Sequence, residues 1–256
     1  MWPVHSISLC KTGQITMADI HSFESLGALD GQGLRFCVFF TGCPLRCAYC
    51  HNPDTWHKSG REMSPRELFD KIRRFKPYFK NGGGVTFSGG EPLLNAETIN
   101  ELRGMLESEG IGYCLDTSGS VPLTDEVKAA IDGADMVLLD LKFPTEELYK
   151  KYTGGSLETV LQTGKYCSEK GIRLILRTVI MPGINDSRDM IDGYIRTASP
   201  LCFEDYELLG FHTMGFFKYE NLGMANPLKD TSPMDPKKLR ELQEYLSSKI
   251  SGEKPR

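Results

Sequence analysis

The sequence predicts an α/β protein: a partial (β/α)6, TIM-like barrel, open on one side. Three observations carry this expectation. Apolar runs of strand length alternate with helix-length stretches, the pattern of a parallel sheet wound with right-handed crossovers. Six such units are present, two fewer than a closed barrel needs. Polar residues capable of chemistry gather where the strands end, at Thr41-Gly42-Cys43, Ser88-Gly89-Gly90-Glu91, Asp116-Thr117, Asp140, Lys142 and His212. That edge is where parallel α/β sheets and barrels carry their sites.

The elements follow in order. Residues 1–18 show no sustained periodicity and are expected to form a lead-in, with one domain over 19–256. Phe36-Cys37-Val38-Phe39-Phe40 reads as a buried strand that ends before Gly42. Ser64-Pro65-Arg66-Glu67 starts a helix, with Ser64 as N-cap, Pro65 at the first helical position and Glu67 completing a capping box. Val85-Thr86-Phe87 is a second strand, running into Ser88-Gly89-Gly90. A helix over 96–108, a strand over 111–116, a helix over 123–132 and a strand over 135–141 come next, then helices near 145–151 and 157–170. The strand over 173–180 stops at Met181-Pro182-Gly183, because proline has no N–H to give a ladder. A helix over 187–197, a strand over 205–211 and a helix over 235–249 complete the pattern, with 218–235 expected to be an ordered loop.

Composition narrows the classes. With 40% apolar and 25% charged residues, a chain of 256 can bury a substantial core. A net charge of −4 gives no global positive field for nucleic acid or an anionic membrane. No apolar run approaches the roughly 20 residues that span a bilayer. The opening Met1-Trp2-Pro3-Val4-His5 lacks the basic and apolar regions of a secretion signal, so a cytoplasmic location is expected. Thiols stay reduced in that compartment, and three of the eight cysteines crowd into one short segment, which points to metal rather than disulfides.

That segment is Cys43-Pro44-Leu45-Arg46-Cys47-Ala48-Tyr49-Cys50. Iron–sulfur clusters are held by thiolates, usually four of them. Three close cysteines without a nearby fourth leave one iron open to an outside ligand. Structural zinc wants a complete set of four, which this segment does not offer, although His51 stands next to Cys50. The second segment is Gly82-Gly83-Gly84-Val85-Thr86-Phe87-Ser88-Gly89-Gly90-Glu91-Pro92, a glycine pair directly after a strand. Glycine permits close backbone approach, so such a turn can grip a small polar ligand or serve only as a tight β-to-α turn. Asp140 and Lys142, two apart on a strand, face the same way. Arg177 lies inside the apolar strand Leu174-Ile175-Leu176-Arg177-Thr178-Val179 and needs a partner there.

Together these segments resemble the radical S-adenosylmethionine (SAM) superfamily, and in finer detail the chain is similar to glycyl-radical-enzyme activating enzymes. The resemblance runs from about Ile20 to the C-terminus. It is densest in Ile20-His21-Ser22-Phe23-Glu24-Ser25, Asp30-Gly31, Tyr49-Cys50-His51-Asn52, Asp54-Thr55-Trp56, Cys114-Leu115-Asp116-Thr117 and Leu139-Asp140-Leu141-Lys142. Several such activases carry extra cluster cysteines between the two motifs. None occurs here between His51 and Phe87, which favours the single-cluster kind. Leu26, in Glu24-Ser25-Leu26-Gly27, stands where the family can have cysteine.

The resemblance implies an oxidoreductase with one 4Fe–4S cluster on Cys43, Cys47 and Cys50, whose open iron takes the amino and carboxylate groups of SAM. Reductive cleavage would give a 5′-deoxyadenosyl radical. That radical would abstract a hydrogen from a glycine of pyruvate formate-lyase or another glycyl radical enzyme. Flavodoxin or ferredoxin is the expected electron donor, and a monomer is expected between encounters. By the same resemblance, Gly89 and Gly90 contact the methionine amino group, with Glu91 supporting the turn. Lys142 reaches the SAM carboxylate or ribose, Arg177 lies near the carboxylate, His212 at the ribose, and Tyr49 and His51 at the adenine. Asp116, Thr117, the carbonyl of Leu138 and Asp140 form a site for sodium or potassium, Asp116 lining the cofactor site as well. Asp30 meets the partner's glycine-bearing peptide. The alternatives are a radical SAM enzyme acting on a small molecule, an activase of anaerobic ribonucleotide reductase, and a non-enzymatic iron–sulfur or zinc protein.

Overall fold

Strand residues in this chain divide by parity, and the division builds the architecture. In the computed structural model, which describes residues 16–250, six strands run parallel. They are β2 (Arg35–Phe40), β4 (Gly84–Gly89), β5 (Tyr113–Thr117), β6 (Met136–Asp140), β7 (Leu174–Ile180) and β8 (Asp205–Gly210). Phe36, Val38, Phe40, Val85, Phe87, Leu115, Val137, Leu139, Leu174 and Leu176 point outward into one large core beneath the helices. Their neighbours Cys114, Met136, Leu138 and Ile175 point inward and make a small separate apolar plug. Side chains alternate between faces along a strand, so each strand feeds both layers. Towards the strand ends, the inward positions turn polar: Ser88, Asp116, Asp140 and Arg177.

The helices cover the outer face. They are α1 (Pro65–Ile72), α2 (Ala96–Ser108), α3 (Asp125–Asp132), α4 (Glu146–Thr153), α5 (Leu157–Lys170), α6 (Arg188–Ala198), α7 (Phe216–Asn221) and α8 (Pro236–Ile250). Ser64 caps α1 by accepting from the Glu67 N–H, and Glu67 accepts in return from the Ser64 N–H at 2.8 Å. Thr124, Thr145 and Ser187 cap α3, α4 and α6 by accepting from the Val127, Leu148 and Met190 N–H groups, without a returning side-chain bond. Both α4 and α5 end on glycines in the left-handed region, Gly154 and Gly171, which release the chain without a Cβ clash.

Two strands were not anticipated. Strand β1 (Ala18–Gly27) pairs antiparallel with β2, and the short β3 (Arg61–Met63) pairs antiparallel with β1. The sheet order is therefore β3-β1-β2-β4-β5-β6-β7-β8, an open eight-stranded sheet whose parallel part has six strands. Helix α7 is also additional: it precedes and enters the 218–235 stretch expected to be loop. Most of the 1–18 lead-in lies outside the described residues, and Ala18 is already the first residue of β1.

The free edge of β8 is closed by a side chain. Gln243 of α8 accepts from the Leu208 N–H at 2.7 Å and donates to the Tyr206 carbonyl at 2.9 Å, taking the place of a neighbouring strand. Between β1 and β2, the loop 28–34 is fixed from below by Arg35, only 1% exposed. Its guanidinium donates to Thr86 Oγ1 and to the carbonyls of Gly82 and Val85, and Thr86 donates to the Asp30 carbonyl. Arg177 reaches the same loop from β7, donating to the Leu29 carbonyl at 2.6 Å.

Candidate functional site

The chain leaves β2 at Phe40 and turns through Gly42, whose φ of +88° suits glycine. The loop that follows is tied down on both sides. Gly42 N–H donates to Thr55 O and Cys43 N–H to Trp56 O, while Arg46 N–H and Ala48 N–H donate to Thr153 O and Tyr152 O at the end of α4. This places Cys43, Leu45, Cys47, Tyr49 and Cys50 along one wall of a cavity of about 1050 Å³ at the carboxyl ends of the strands. All three cysteines are free thiols. Burial, the dominant cause in each case, pushes Cys43 up to about 11 and Cys47 up to about 12, and raises Cys50 as well.

The second wall is the turn after β4. Gly90 N–H donates to Phe40 O and Glu91 N–H to Gly42 O, so the turn lies directly on the cysteine loop. A Cβ at Gly89 would meet the Phe40 backbone at 2.3 Å and one at Gly90 would meet Gly42 O at 2.2 Å, so only glycine fits either place. Glu91 points away from the cavity and is fully buried. Its carboxylate accepts from the backbone N–H groups of Leu93 and Ser118 and from the hydroxyls of Thr117 and Ser118. Burial raises its pKa against the pull of those four donors.

The third wall carries charge. Lys142 donates to Asp140 at 2.7 Å. Burial alone would lower the ammonium, but Asp140 and the neighbouring Tyr49 and Cys47 hold it well above the usual lysine range. Arg177 donates to Glu207 at 3.0 Å and stands 3.8 Å from Asp116, so the strand arginine is paired. Burial and the nearby Asp140 push Asp116 up to about 6, opposed by Arg177 and by the Ser88 hydroxyl that donates to it. Asp116, Leu138 and Asp140 share the cavity wall. Thr117 does not: it faces the opposite side of β5, its hydroxyl given to Glu91.

His51 and His212 form the mouth. Their rings stack at 3.7 Å and 10°, and His51 Nε2 donates to the His212 carbonyl. Burial and the His212 ring lower the His51 pKa. Two buried polar atoms here have no partner, Tyr49 Oη and His212 Nδ1. Asp30, on the loop fixed by Arg35, lines the same cavity. Several contributors were not read from the sequence. Trp56, Tyr219 and Lys218 brace the cysteine loop: Tyr219 donates to Cys50 O, and Lys218 binds Asn52 and Asp54. Ser88, Ser118 and Glu207 hold the reactive-looking neighbours. Of these, Trp56 carried a signal in the Asp54-Thr55-Trp56 segment and Ser88 one in Ser88-Gly89-Gly90-Glu91.

The arrangement suits a cluster better than a single ion. Among the described residues no three His, Cys, Asp or Glu side chains converge as one metal ion requires. A 4Fe–4S cluster would be held by Cys43, Cys47 and Cys50, which line one wall of the cavity, and would supply one-electron chemistry there. The fold and these three walls together define a radical SAM protein. Residues 37–192 match the radical SAM superfamily. Residue by residue the chain is 40% identical over 235 residues to the pyruvate formate-lyase-activating enzyme of Clostridium pasteurianum, covering 91% of this chain and 98% of that one. It is 36% identical to the enzyme of that name from Staphylococcus epidermidis, covering 89% and 94%. The solved structure of Streptococcus suis SuiB bound to its precursor peptide SuiA shares the fold at 18% identity and a TM-score of 0.63, over 82% of this chain and 44% of that one. The chain belongs to the radical SAM superfamily and, within it, to the family of pyruvate formate-lyase-activating enzymes.

Proposed function

We propose that this chain is the activase that installs a glycyl radical on pyruvate formate-lyase. The observation that carries the reading is the convergence of Cys43, Cys47 and Cys50, the Gly89–Gly90 turn and the Asp140–Lys142–Arg177 group on one cavity. When bound, the cluster and SAM supply a one-electron cleavage that yields a 5′-deoxyadenosyl radical able to take the glycine α-hydrogen. The chain's own residues hold and orient. Cys43, Cys47 and Cys50 hold three irons and lose their protons on assembly, which their raised pKa values make pH-dependent. The backbone at Gly89 and Gly90 receives the methionine amino group, and Lys142 and Arg177 face its carboxylate. Tyr49, His51 and His212 line the part of the cavity that receives the nucleoside end.

Asp116, Leu138 O and Asp140 provide oxygens for a monovalent cation, and Thr117 contributes only by turning its hydroxyl from Glu91. The cavity lies at the upper end of the range for small ligands, roughly 300–1,000 Å³, leaving room for a peptide loop beside Asp30. Free thiols at all seven described cysteines fit a reducing cytoplasm, where flavodoxin or ferredoxin serves as electron donor. No described helix is long and apolar enough to cross a membrane. The enzyme acts as a monomer in a transient complex.

Anaerobic reconstitution tests the reading. The protein should bind about four irons, release 5′-deoxyadenosine with SAM and a chemical reductant, and give a glycyl radical EPR signal on added pyruvate formate-lyase. Cys47→Ala should lose both cluster and cleavage. Cleavage without the EPR signal would mean another partner.

A further inference from the structure

The cysteine loop has two faces. Leu45, Cys47 and Tyr49 line the cavity, whereas Arg46 and Ala48 do not. Instead, the backbone N–H groups of Arg46 and Ala48 donate to the last carbonyls of α4, so this outer face runs on into that helix. Four exposed cations lie on these segments: Arg46 on the loop, Lys58 two residues beyond Trp56, and Lys150 and Lys151 on the last turns of α4. None of the four makes an ion pair among the described residues. The carboxylates nearby are largely committed. Asp54 is held by Lys218 and His21, and Glu146 accepts from the Leu157 N–H, leaving Glu147 on α4 exposed. On a chain of net charge −4, these four cations outnumber the two exposed carboxylates of α4.

A continuous contact leads inward from these cations. The Arg46 guanidinium lies 5.1 Å above the Trp56 ring. The Trp56 indole donates a hydrogen bond to the Cys50 sulfur, and its carbonyl accepts from the Cys43 N–H. Tyr219 packs edge-on against the same ring at 6.3 Å and donates to the Cys50 carbonyl. A half-buried aromatic that also lines the cavity thus joins the charged surface to a cluster sulfur.

We infer that the outer face of the cysteine loop is the docking surface for an acidic one-electron carrier protein, with the Arg46–Trp56 stack as the electron's entry point. The inference rests on the activase reading, because only a redox cluster needs such an entry. One electron passes from the reduced carrier to the oxidised cluster; the carrier is oxidised by one, the cluster reduced by one, and no bond or proton changes hands.

The test uses reconstituted full-length protein with reduced flavodoxin as the probe, against dithionite. Charge reversal in Lys150→Glu/Lys151→Glu should raise the KM for reduced flavodoxin about tenfold at low salt, since rim charges act on encounter. kcat at saturating flavodoxin and dithionite-driven SAM cleavage should stay as in the unmodified protein. Raising the salt should erase the difference. An unchanged flavodoxin KM would overturn the docking surface, as would an equal loss with dithionite. Failure of the unmodified protein to cleave SAM even with dithionite would instead overturn the activase reading.

Discussion

Replacing Glu91 separates the support of the site from its chemistry. The side chain is fully buried, touches no cavity surface and accepts from four donors. In Glu91→Ala the two backbone N–H groups, of Leu93 and Ser118, lose their acceptors at about 1–3 kcal/mol each. The two hydroxyls can rotate: Thr117 Oγ1 already accepts from Gly119 N–H and Ser118 Oγ from Ser120 N–H. Against this, the variant no longer buries a carboxylate whose pKa is raised by desolvation, and water entering the space restores part of the pairing. The net cost is about 2–4 kcal/mol. Glu91→Gln keeps the shape and one acceptor oxygen; its NH2 can donate to a rotated hydroxyl and orphans one backbone N–H, for about 1–3 kcal/mol. Urea unfolding of the iron-free protein, followed by far-UV circular dichroism, should show midpoints falling in the order unmodified, Gln, Ala. SAM affinity of the reconstituted protein should weaken in the same order while its iron content holds. Equal midpoints for Gln and Ala, or no shift in either, would refute the role of the carboxylate as the tie between the glycine turn and β5.

Trp56→Phe keeps the ring but removes the donor to Cys50, so an EPR-monitored redox titration should find the cluster potential more negative, with iron content unchanged. Arg35→Met strips three carbonyls and Thr86 of their donor, at a cost of about 2–4 kcal/mol. Limited proteolysis should then cut within 28–34 faster than elsewhere. Ser64→Ala should cost about 1 kcal/mol through the lost α1 cap. It also removes the hydroxyl, the lesser of the two Ser64 donors that lower the Glu67 pKa from its usual 4.5, while the backbone N–H still donates. A lowered carboxylate stabilises above its unfolded pKa and loses that contribution as pH falls through the folded value. The gap between Ser64→Ala and the unmodified protein should therefore narrow below pH 4.5 in thermal melts.

The six parallel strands were legible because strands buried on both faces read as short apolar runs, and Met136–Asp140 shows this best. Strand β1 was not. Its Ile20-His21-Ser22-Phe23-Glu24 mixes polar and apolar residues as a half-exposed antiparallel strand does, and the Asp30-Gly31 turn after it sits in the loop 28–34 instead of closing a two-residue hairpin. Helix α7 has six residues and no side-chain cap, too short for a period to emerge. The positions on the site walls were visible at the strand ends, but partners far apart in sequence were not. Nothing local tells that Thr117 turns to Glu91 while Asp116 turns to the cavity, except the two-residue alternation that places them on opposite faces. The stack of His51 on His212 joins residues from opposite ends of the fold and has no sequence signature at all.

The Gln243 clasp on β8 settles what kind of opening this unfinished barrel has. A bare strand edge invites any extended peptide to add itself by backbone pairing. Here one rim is occupied by the clasp, and the other is the three-residue β3, with Arg61 and Glu62 exposed. A visiting polypeptide therefore finds no ladder to extend at the clasped stretch of β8 and very little at β3. On the proposed activase function, a peptide guest would have to enter by side-chain fit around Asp30 and Leu29, by shape and charge instead of by backbone pairing.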